Sequence, residues 1–214
     1  MVYNIYISTW TADKGEKEMT YIVKKTSAPD WNAIEAVTLV HQPWLEPCDI
    51  SAKAQLCHDG ENLYVRLEAE EAAIRAVQDG PLDQVCNDSC LEFFFAPLMQ
   101  DKRYFNFEVN LLGNLYVGFG AERPTRVRQI VKNTEALFAP KPFRTEKGWG
   151  IEYRIPLSYL QLYMPQAQFA GEAACNFYKC GDLTEKPHYL AWAPLTCEKP
   201  DYHRRWDFGR LIFE

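Results

Sequence analysis

The sequence predicts an all-β protein, an antiparallel β-sandwich of about ten strands with minimal helix. Apolar and polar residues alternate with a period of two along most of the chain, which is typical of strands. Aromatic residues make up 14% of the 214 residues, and this also favours strands and stacking surfaces. Helical periodicity is short and weak, at best in EEAAIRAV and PLSYLQLY.

The predicted strands can be followed in order from their alternation and from the turn residues between them. The stretch ENLYVRLEAE follows a turn at His58-Asp59-Gly60 and places apolar residues on one face and mostly charged ones on the other. The stretch RYFNFEVN repeats this pattern before a turn at Gly113-Asn114. The other predicted strands are TYIVKK, SAKAQLC, SCLEFFF, WGIEYRI, EAACNFYKC, HYLAW and FGRLIF.

Nothing in residues 28–214 has the composition of a linker, so one domain spanning residues 1–214 is expected. The net charge of -6 argues against a nucleic-acid partner, which requires a concentrated basic face. The chain has no run of about 18 apolar residues, so no membrane partner is expected. Its start, MVYNIYISTW, does not resemble a signal peptide. The sequence as given predicts a cytoplasmic location, or secretion if a leader was removed. It does not predict the oligomeric state.

The C-terminal stretch PDYHRRWDFGRLIFE carries an unusual aromatic load. Trp206, Phe208 and Phe213 are predicted to close the core together with a final strand. Tyr202 and His203 come before that strand in a loop next to a proline, and loops are where binding groups concentrate. The tail is therefore predicted to complete the sheet and to present Tyr202 to a ligand.

Polar side chains recur on one face of several predicted strands. Glu92 lies within a run of phenylalanines, where an unpaired carboxylate is costly, so a partner such as Arg204 or Arg205 is expected. Glu108 and Asn110 share one face of their strand. Such a face is either the solvent side of a sandwich or a platform for a sugar, and alternation does not decide between them.

Six motifs, in order, resemble the family 9 carbohydrate-binding modules from about residue 30 to the C-terminus. They are DSCLEFFFAP, YFNFEVNLLGN, GWGIEYRIPLSYL, CNFYKCGD, HYLAWAPL and PDYHRRWDFGRLIF. The resemblance implies a β-sandwich that binds sugar without catalysis and supports glycan breakdown, often beside a glycoside hydrolase. It also implies that two aromatic rings clamp a terminal sugar, and it makes structural calcium possible.

The resemblance assigns roles to individual positions. Glu92 matches the glutamate that binds sugar hydroxyls, and Tyr202 stands where the family has one clamping tryptophan. The segment DGPLDQVCND, where the second would lie, has no aromatic residue. Glu108 and Tyr178 occupy the positions of a sugar-binding arginine and glutamine. The predicted carbohydrate-binding residues are Tyr202, Glu92, His203, Arg204, Tyr178, Glu108 and Asn110, with no catalytic residue.

Two other functions are open from the residues alone. Glu92 and Glu108 are the paired carboxylates that a glycoside hydrolase would need, although no other catalytic motif is present. A haem-binding sandwich domain is the second alternative, although the chain has no attachment motif. Its available ligands are Met99, Met164, His41, His58, His188 and His203.

The seven cysteines are predicted to be reduced, because an odd number cannot pair completely. The segments Cys86-x3-Cys90 and Cys175-x4-Cys180 invite a zinc site. Cys175 and Cys180 would point to opposite faces of one strand, which argues against it. Calcium at Asp59, Glu61 or Asp88 lacks the spacing of a dedicated loop. No cofactor and no metal-binding residue are therefore assigned.

Overall fold

The computed structural model describes residues 19–214 and confirms the predicted all-β class. Within residues 19–214, helix is limited to α1 (Thr134–Phe138), α2 (Leu157–Gln161) and three single 3-10 turns. No helix of the described residues is long and apolar enough to span a membrane. The strands are β1 (Thr20–Lys25), β2 (Val37–Thr38), β3 (Ser51–His58), β4 (Asn62–Glu70), β5 (Cys90–Ala96), β6 (Tyr104–Asn110), β7 (Leu115–Gly120), β8 (Val127–Gln129), β9 (Lys141–Arg144), β10 (Gly148–Pro156), β11 (Gly171–Cys180), β12 (Tyr189–Ala191) and β13 (Gly209–Phe213).

The strands form one mixed sheet in the order β8-β7-β6-β5-β11-β13-β1-β3-β4-β10-β9, with β12 on β11 and β2 on β3. Most neighbours are antiparallel, but β1 runs parallel to both β13 and β3. The prediction of an antiparallel β-sandwich of about ten strands is therefore confirmed only as an all-β fold, because residues 19–214 form one mixed sheet of 13 strands. Alternation and turn residues predict strands and local hairpins. They do not predict the pairing of strands that lie far apart in the sequence.

The sheet curls so that two halves face each other across one core. We call β5, β6, β7, β8, β11, β12 and β13 the β5 half, and β2, β3, β4, β9 and β10 the β4 half. The core contains Phe93 and Phe107 from the β5 half with Leu67 and Tyr153 from the β4 half. The rings of Phe107 and Tyr153 meet across it at 6.2 Å between centroids. Burial of this apolar area is the main stabilising contribution.

The final strand lies inside the sheet, as the tail's alternation predicts. β13 pairs with β11 on one side and β1 on the other, and Phe213 is buried. Trp206 is an exception, because it lies on a 3-10 turn before β13 and is 61% exposed. The prediction that Trp206 closes the core is wrong, since a 3-10 turn interrupts the strand alternation on which that prediction was based.

The two halves differ on the faces that point away from the core. β4 alternates between buried and partly exposed residues, so its outer face meets solvent. Every residue of β5 and β6 is buried. A second hydrophobic cluster, which includes Phe94, Tyr178 and Tyr202, covers the outer face of the β5 half. The loops 41–50 and 192–208 contribute to this cover, and the candidate site lies beneath them.

Candidate functional site

A pocket of about 330 Å³ opens on the outer face of the β5 half. Three neighbouring strands supply its floor, with Glu92 and Phe94 from β5, Glu108 from β6 and Cys180 from β11. The remaining lining residues are Trp44, Gln84, Cys86, Tyr116, Arg123, Arg126, Asp182, Tyr189, Pro200, Asp201, Tyr202 and His203. Four predicted site residues, Glu92, Glu108, Tyr202 and His203, are thus brought together.

Glu92 and Glu108 are direct cross-strand partners on β5 and β6, and they are 3% and 8% exposed. Burial, followed by the neighbouring charge of Glu108, raises the pKa of Glu92 well above its ordinary value. Burial also raises the pKa of Glu108 to about 7. The floor therefore carries fewer negative charges at neutral pH than its two carboxyl groups would carry in water.

The partner of Glu92 is not an arginine. The thiol of Cys180 donates to Glu92 Oε1 at 2.9 Å. Arg204 instead contacts Asp207 at 3.4 Å, and Arg205 donates to the carbonyl of Met99 at 3.4 Å. The expected pairing with Arg204 or Arg205 is wrong because both arginines lie on or beside the 3-10 turn that carries Trp206, outside the pocket lining.

Glu108 is oriented by a chain of hydrogen bonds from Arg126. The Arg126 guanidinium donates to Asn106 Oδ1, and Asn106 Nδ2 donates to Glu108 Oε1 at 2.7 Å. Arg126 also donates to the carbonyls of Gly120 and Tyr104, so its position is fixed on several sides. Gly118 lies opposite Asn106 on β7, and a side chain there would collide with the Asn106 amide. The floor is therefore preorganised.

Tyr202 lines the pocket but offers little open surface. It is 9% exposed, and its ring stacks on Tyr178 at 3.9 Å and 9°. Its hydroxyl donates to the carbonyls of Lys179 and Leu190, and the Tyr178 hydroxyl donates to the Tyr202 carbonyl. Tyr202 is therefore packed into the outer hydrophobic cluster, because the Tyr178 ring lies beneath it.

His203 forms part of the pocket wall as a neutral ring. Its Nδ1 lies 2.9 Å from the hydroxyl of Tyr104, and its ring packs against Phe94 at 5.0 Å between centroids. Burial, with the nearby charge of Arg126, lowers the pKa of His203 to about 3. His203 therefore contributes hydrogen-bonding capacity without charge at neutral pH.

Three half-buried rings also line the pocket and were missed by sequence reasoning: Trp44, Tyr116 and Tyr189. Trp44 adopts φ 73°, which is strained for a bulky residue, and Nε1 donates to the carbonyl of Cys197 at 2.9 Å. The ring of Trp44 lies 5.3 Å from Tyr189. Pro43 precedes Trp44, so the criterion applied to Tyr202, an aromatic residue in a proline-flanked loop, would have found it.

Three predicted site residues, Tyr178, Arg204 and Asn110, lie outside the pocket lining, and Tyr178 is fully buried beneath Tyr202. The Arg204 guanidinium is 4.5 Å from the centre of the exposed Trp206 ring. Asn110 is fully buried and donates to the carbonyl of Gln78 at 2.7 Å and to Asp88 Oδ2 at 2.8 Å. Asn110 also accepts from the backbone of the turn after β6, so its observed contacts are structural.

All seven cysteines lie within the described residues and are free thiols. Cys175 belongs to the main core and Cys180 to the outer cluster, so they lie on opposite faces of β11 as predicted. Asp59 and Asp88 do not fit calcium, because several donors already engage each carboxylate. Asp59 accepts from two backbone amides and Tyr64, and Asp88 accepts from Arg75, two backbone amides and Asn110.

The candidate haem ligands are also separated from one another in the described part of the chain. His58 contacts the carbonyl of Glu214, His188 contacts Lys179, and His203 contacts Tyr104. Met164 is fully buried in the core, and Met99 is outside the pocket lining. The structure therefore gives no support to a methionine and histidine pair around the pocket.

A pocket with ring-bearing walls and a polar floor on a β-sheet scaffold defines a protein that binds a small polar ligand. The chain belongs to carbohydrate-binding family 9, whose model matches residues 23–213. This confirms the resemblance seen in the six motifs. No protein of curated function matches the chain in sequence.

Solved structures show the same fold. A proposed carbohydrate-binding protein from Bacteroides uniformis ATCC 8492 is 28% identical, with a TM-score of 0.81 over 92% of this chain and 100% of that chain. A family 9 module from Caldicellulosiruptor kristjanssonii in complex with glucose is 15% identical, with a TM-score of 0.63 over 91% and 95% of the two chains. A structure of a family 9 module from the same organism in complex with cellotriose is 14% identical to this chain. Its TM-score is 0.63 over 90% of this chain and 92% of that chain.

Proposed function

We propose that this protein binds carbohydrate without catalysis in the pocket on the β5 half. The proposal rests on one observation: half-buried aromatic rings and buried carboxyl groups line the same pocket of about 330 Å³. A pyranose offers apolar C–H patches that pack on rings and hydroxyl groups that bond to planar polar groups. Trp44 and Tyr189 supply the rings, and Glu92 and Glu108 supply the polar groups.

The relatives support this assignment and suggest the kind of ligand. Family 9 modules of the same fold are known in complex with glucose and cellotriose. The pocket volume lies near the lower end of the ~300–1,000 Å³ typical of small-molecule sites, which suits a sugar end better than the middle of a long chain. We therefore propose the end of a glucose-type saccharide as the ligand.

The arrangement of the carboxyl groups favours binding over hydrolysis. A glycoside hydrolase places its two carboxyl groups on either side of the scissile bond. Glu92 and Glu108 instead lie side by side on the pocket floor as cross-strand partners. Both can accept or donate hydrogen bonds to one edge of a sugar. A catalytic role is therefore not part of the proposal.

The ring contribution can be tested with two tryptophan variants. Trp44→Ala removes a pocket ring, whereas Trp206→Ala removes an exposed ring outside the pocket. Calorimetry with glucose and cellotriose should show weaker binding by about 5-fold or more for Trp44→Ala, because a lost ring contact costs about 1 kcal/mol. Trp206→Ala should bind like the parent. Equal binding by the parent and Trp44→Ala would place the sugar elsewhere.

The polar floor can be tested with two substitutions at Glu92. Burial raises the pKa of Glu92 well above its ordinary value, and Gln mimics the protonated form by preserving a donor and an acceptor, whereas Leu removes both. Glu92→Gln should therefore bind sugar more tightly than Glu92→Leu does. An assay with an aryl glycoside checks the alternative: turnover by the parent that disappears in Glu92→Gln would replace the binding proposal with an enzyme.

A further inference from the structure

Strand pairing brings three potential metal ligands together, two of which, Glu92 and Cys180, line the pocket floor. Cys90 on β5 and Cys180 on β11 are direct cross-strand partners, and Glu92 is two residues along β5 on the same face. One ligand atom from each of the three residues lies within 4.8 Å of the other two. All three side chains are at least nine-tenths buried. The spacing of cysteines along the chain does not reveal this group, because it combines one cysteine from each of two segments.

The electrostatic balance of this region is unusual. Among residues 19–214, neither Glu92 nor Glu108 forms an ion pair with a lysine or arginine. In the same part of the chain, the hydrogen bond to Glu92 comes from the Cys180 thiol, a weak donor. A carboxyl group with so little compensation is costly to bury. Either a proton or a cation must balance it.

We propose that Cys90, Cys180 and Glu92 bind a thiophilic divalent cation of the Zn²⁺ class. Two sulfur ligands and one carboxylate oxygen match the preference of Zn²⁺, Co²⁺ and Cd²⁺, and they do not suit Ca²⁺ or Mg²⁺. On binding, the two thiols and the carboxyl group release their protons to solvent, and the cation forms two bonds to sulfur and one to oxygen.

The geometry requires only small shifts. Ligand atoms around a tetrahedral zinc ion lie about 3.5–3.8 Å apart, given bond lengths of about 2.0–2.3 Å. The observed 2.9 Å between Cys180 Sγ and Glu92 Oε1 must lengthen by a fraction of an ångström, which a side-chain rotation provides. Cys180 and Glu92 also line the pocket, so the fourth coordination position faces it and is open to water. The site does not depend on the proposed sugar binding.

Cobalt titration of reduced, metal-free protein tests the proposal. Co²⁺ bound by thiolates gives an intense absorption band, and Zn²⁺ should displace it at one equivalent per chain. Cys180→Ala, Cys90→Ala and Glu92→Gln should each weaken Co²⁺ binding, the cysteine variants by about 100-fold or more, since even outer partners of a metal site contribute 10–100-fold. Ca²⁺ should neither bind nor compete.

Cys175→Ala is the matched control, because Cys175 is a buried thiol on the opposite face of the same strand. It should titrate like the parent. If Cys180→Ala does not fold, Cys90→Ala and the near-isosteric Glu92→Gln still test the site. The absence of a thiolate band in the parent would overturn the proposal. So would parent-like binding by the Cys90 and Glu92 variants, or an equal loss in Cys175→Ala.

Discussion

The two halves of the sheet have similar alternating sequences, yet the outer face of the β4 half is partly exposed to solvent and that of the β5 half is buried. On the β4 half, Lys53, Arg66 and Glu68 form a ladder of ion pairs that remains partly exposed. On the β5 half, Glu92 and Glu108 occupy equivalent outward positions, but they are almost completely buried. The difference arises from the loops that cover the β5 half. Polarity of an outer face therefore does not by itself predict solvent contact.

The charges on the two outer faces are compensated differently. Each carboxylate of the β4 ladder has a basic partner, with Lys53 Nζ 3.1 Å from Glu68 Oε1 and Arg66 paired with Glu152. The carboxyl groups of the pocket floor have no such partner within residues 19–214, and burial raises the pKa of Glu92 and Glu108. A fold optimised only for stability would pair or remove these acids. Their retention supports a ligand-binding role for this face.

The largest expected effect concerns a buried ion pair on the opposite, core-facing side of the β5 half. Lys179 is completely buried, and Nζ lies 3.2 Å from Glu71 Oε2 and 2.6 Å from His188 Nε2. Lys179→Met should lower the free energy of unfolding by about 3–5 kcal/mol, because it leaves the Glu71 carboxylate buried without its cation. Chemical denaturation measures this change.

A double variant identifies the cause of that loss. Glu71 also accepts hydrogen bonds from Ser89 and Trp149, so Glu71→Gln keeps partners while removing the charge. Lys179→Met combined with Glu71→Gln should recover much of the stability lost in Lys179→Met. A loss below about 1 kcal/mol in Lys179→Met would mean that the buried pair behaves like a surface pair.

Much of the fold was predictable, because strand alternation is a local property of the sequence. The position of β13 inside the sheet followed from the tail, whereas the parallel placement of β1 depends on pairing across most of the chain. Such long-range pairing leaves no local pattern for sequence reasoning to detect.

The candidate site was predictable only in part. Glu92 and Glu108 were found from alternation and from family resemblance. The hydrogen-bond partner of Glu92 was not predicted, because Cys180 lies 88 residues away in the sequence and contacts Glu92 only through strand pairing. Trp44 was missed although it follows a proline in a loop, as Tyr202 does, and the burial of Tyr202 depends on Tyr178 beneath it.

A smaller effect, dependent on pH, is expected at Glu108. Its folded-state pKa is raised to about 7, so the folded protein binds a proton more strongly than the unfolded chain does. Stability from this group is full below about pH 4.5 and is lost as the pH rises towards 7. Glu108→Gln removes this loss while keeping an acceptor for Asn106.

The stability gain of Glu108→Gln over the parent should be small at pH 5 and reach up to about 3 kcal/mol at pH 8, at ~1.4 kcal/mol per pKa unit. Urea denaturation of the two proteins at both pH values measures this difference. Titrating groups remote from the pocket cancel in the comparison, whereas Glu92, whose pKa the Glu108 charge raises, adds to the gain in the same direction. An identical difference at pH 5 and pH 8 would show that the Glu108 carboxyl group titrates normally.

The smallest effect is expected on the exposed outer face of the β4 half. Lys53 pairs with Glu68, but its side chain is 46% exposed, so water and salt already screen both charges. Lys53→Met should therefore change the free energy of unfolding by less than about 1 kcal/mol, and added salt should reduce the difference further. This variant is the matched counterpart of Lys179→Met, because both remove a lysine from a strand and replace it with the same side chain. Denaturation of the two variants at low and high salt makes the comparison direct. A loss of several kcal/mol at Lys53, insensitive to salt, would contradict the distinction between a solvent-exposed and a buried face, because the outer ladder would then behave as a buried network.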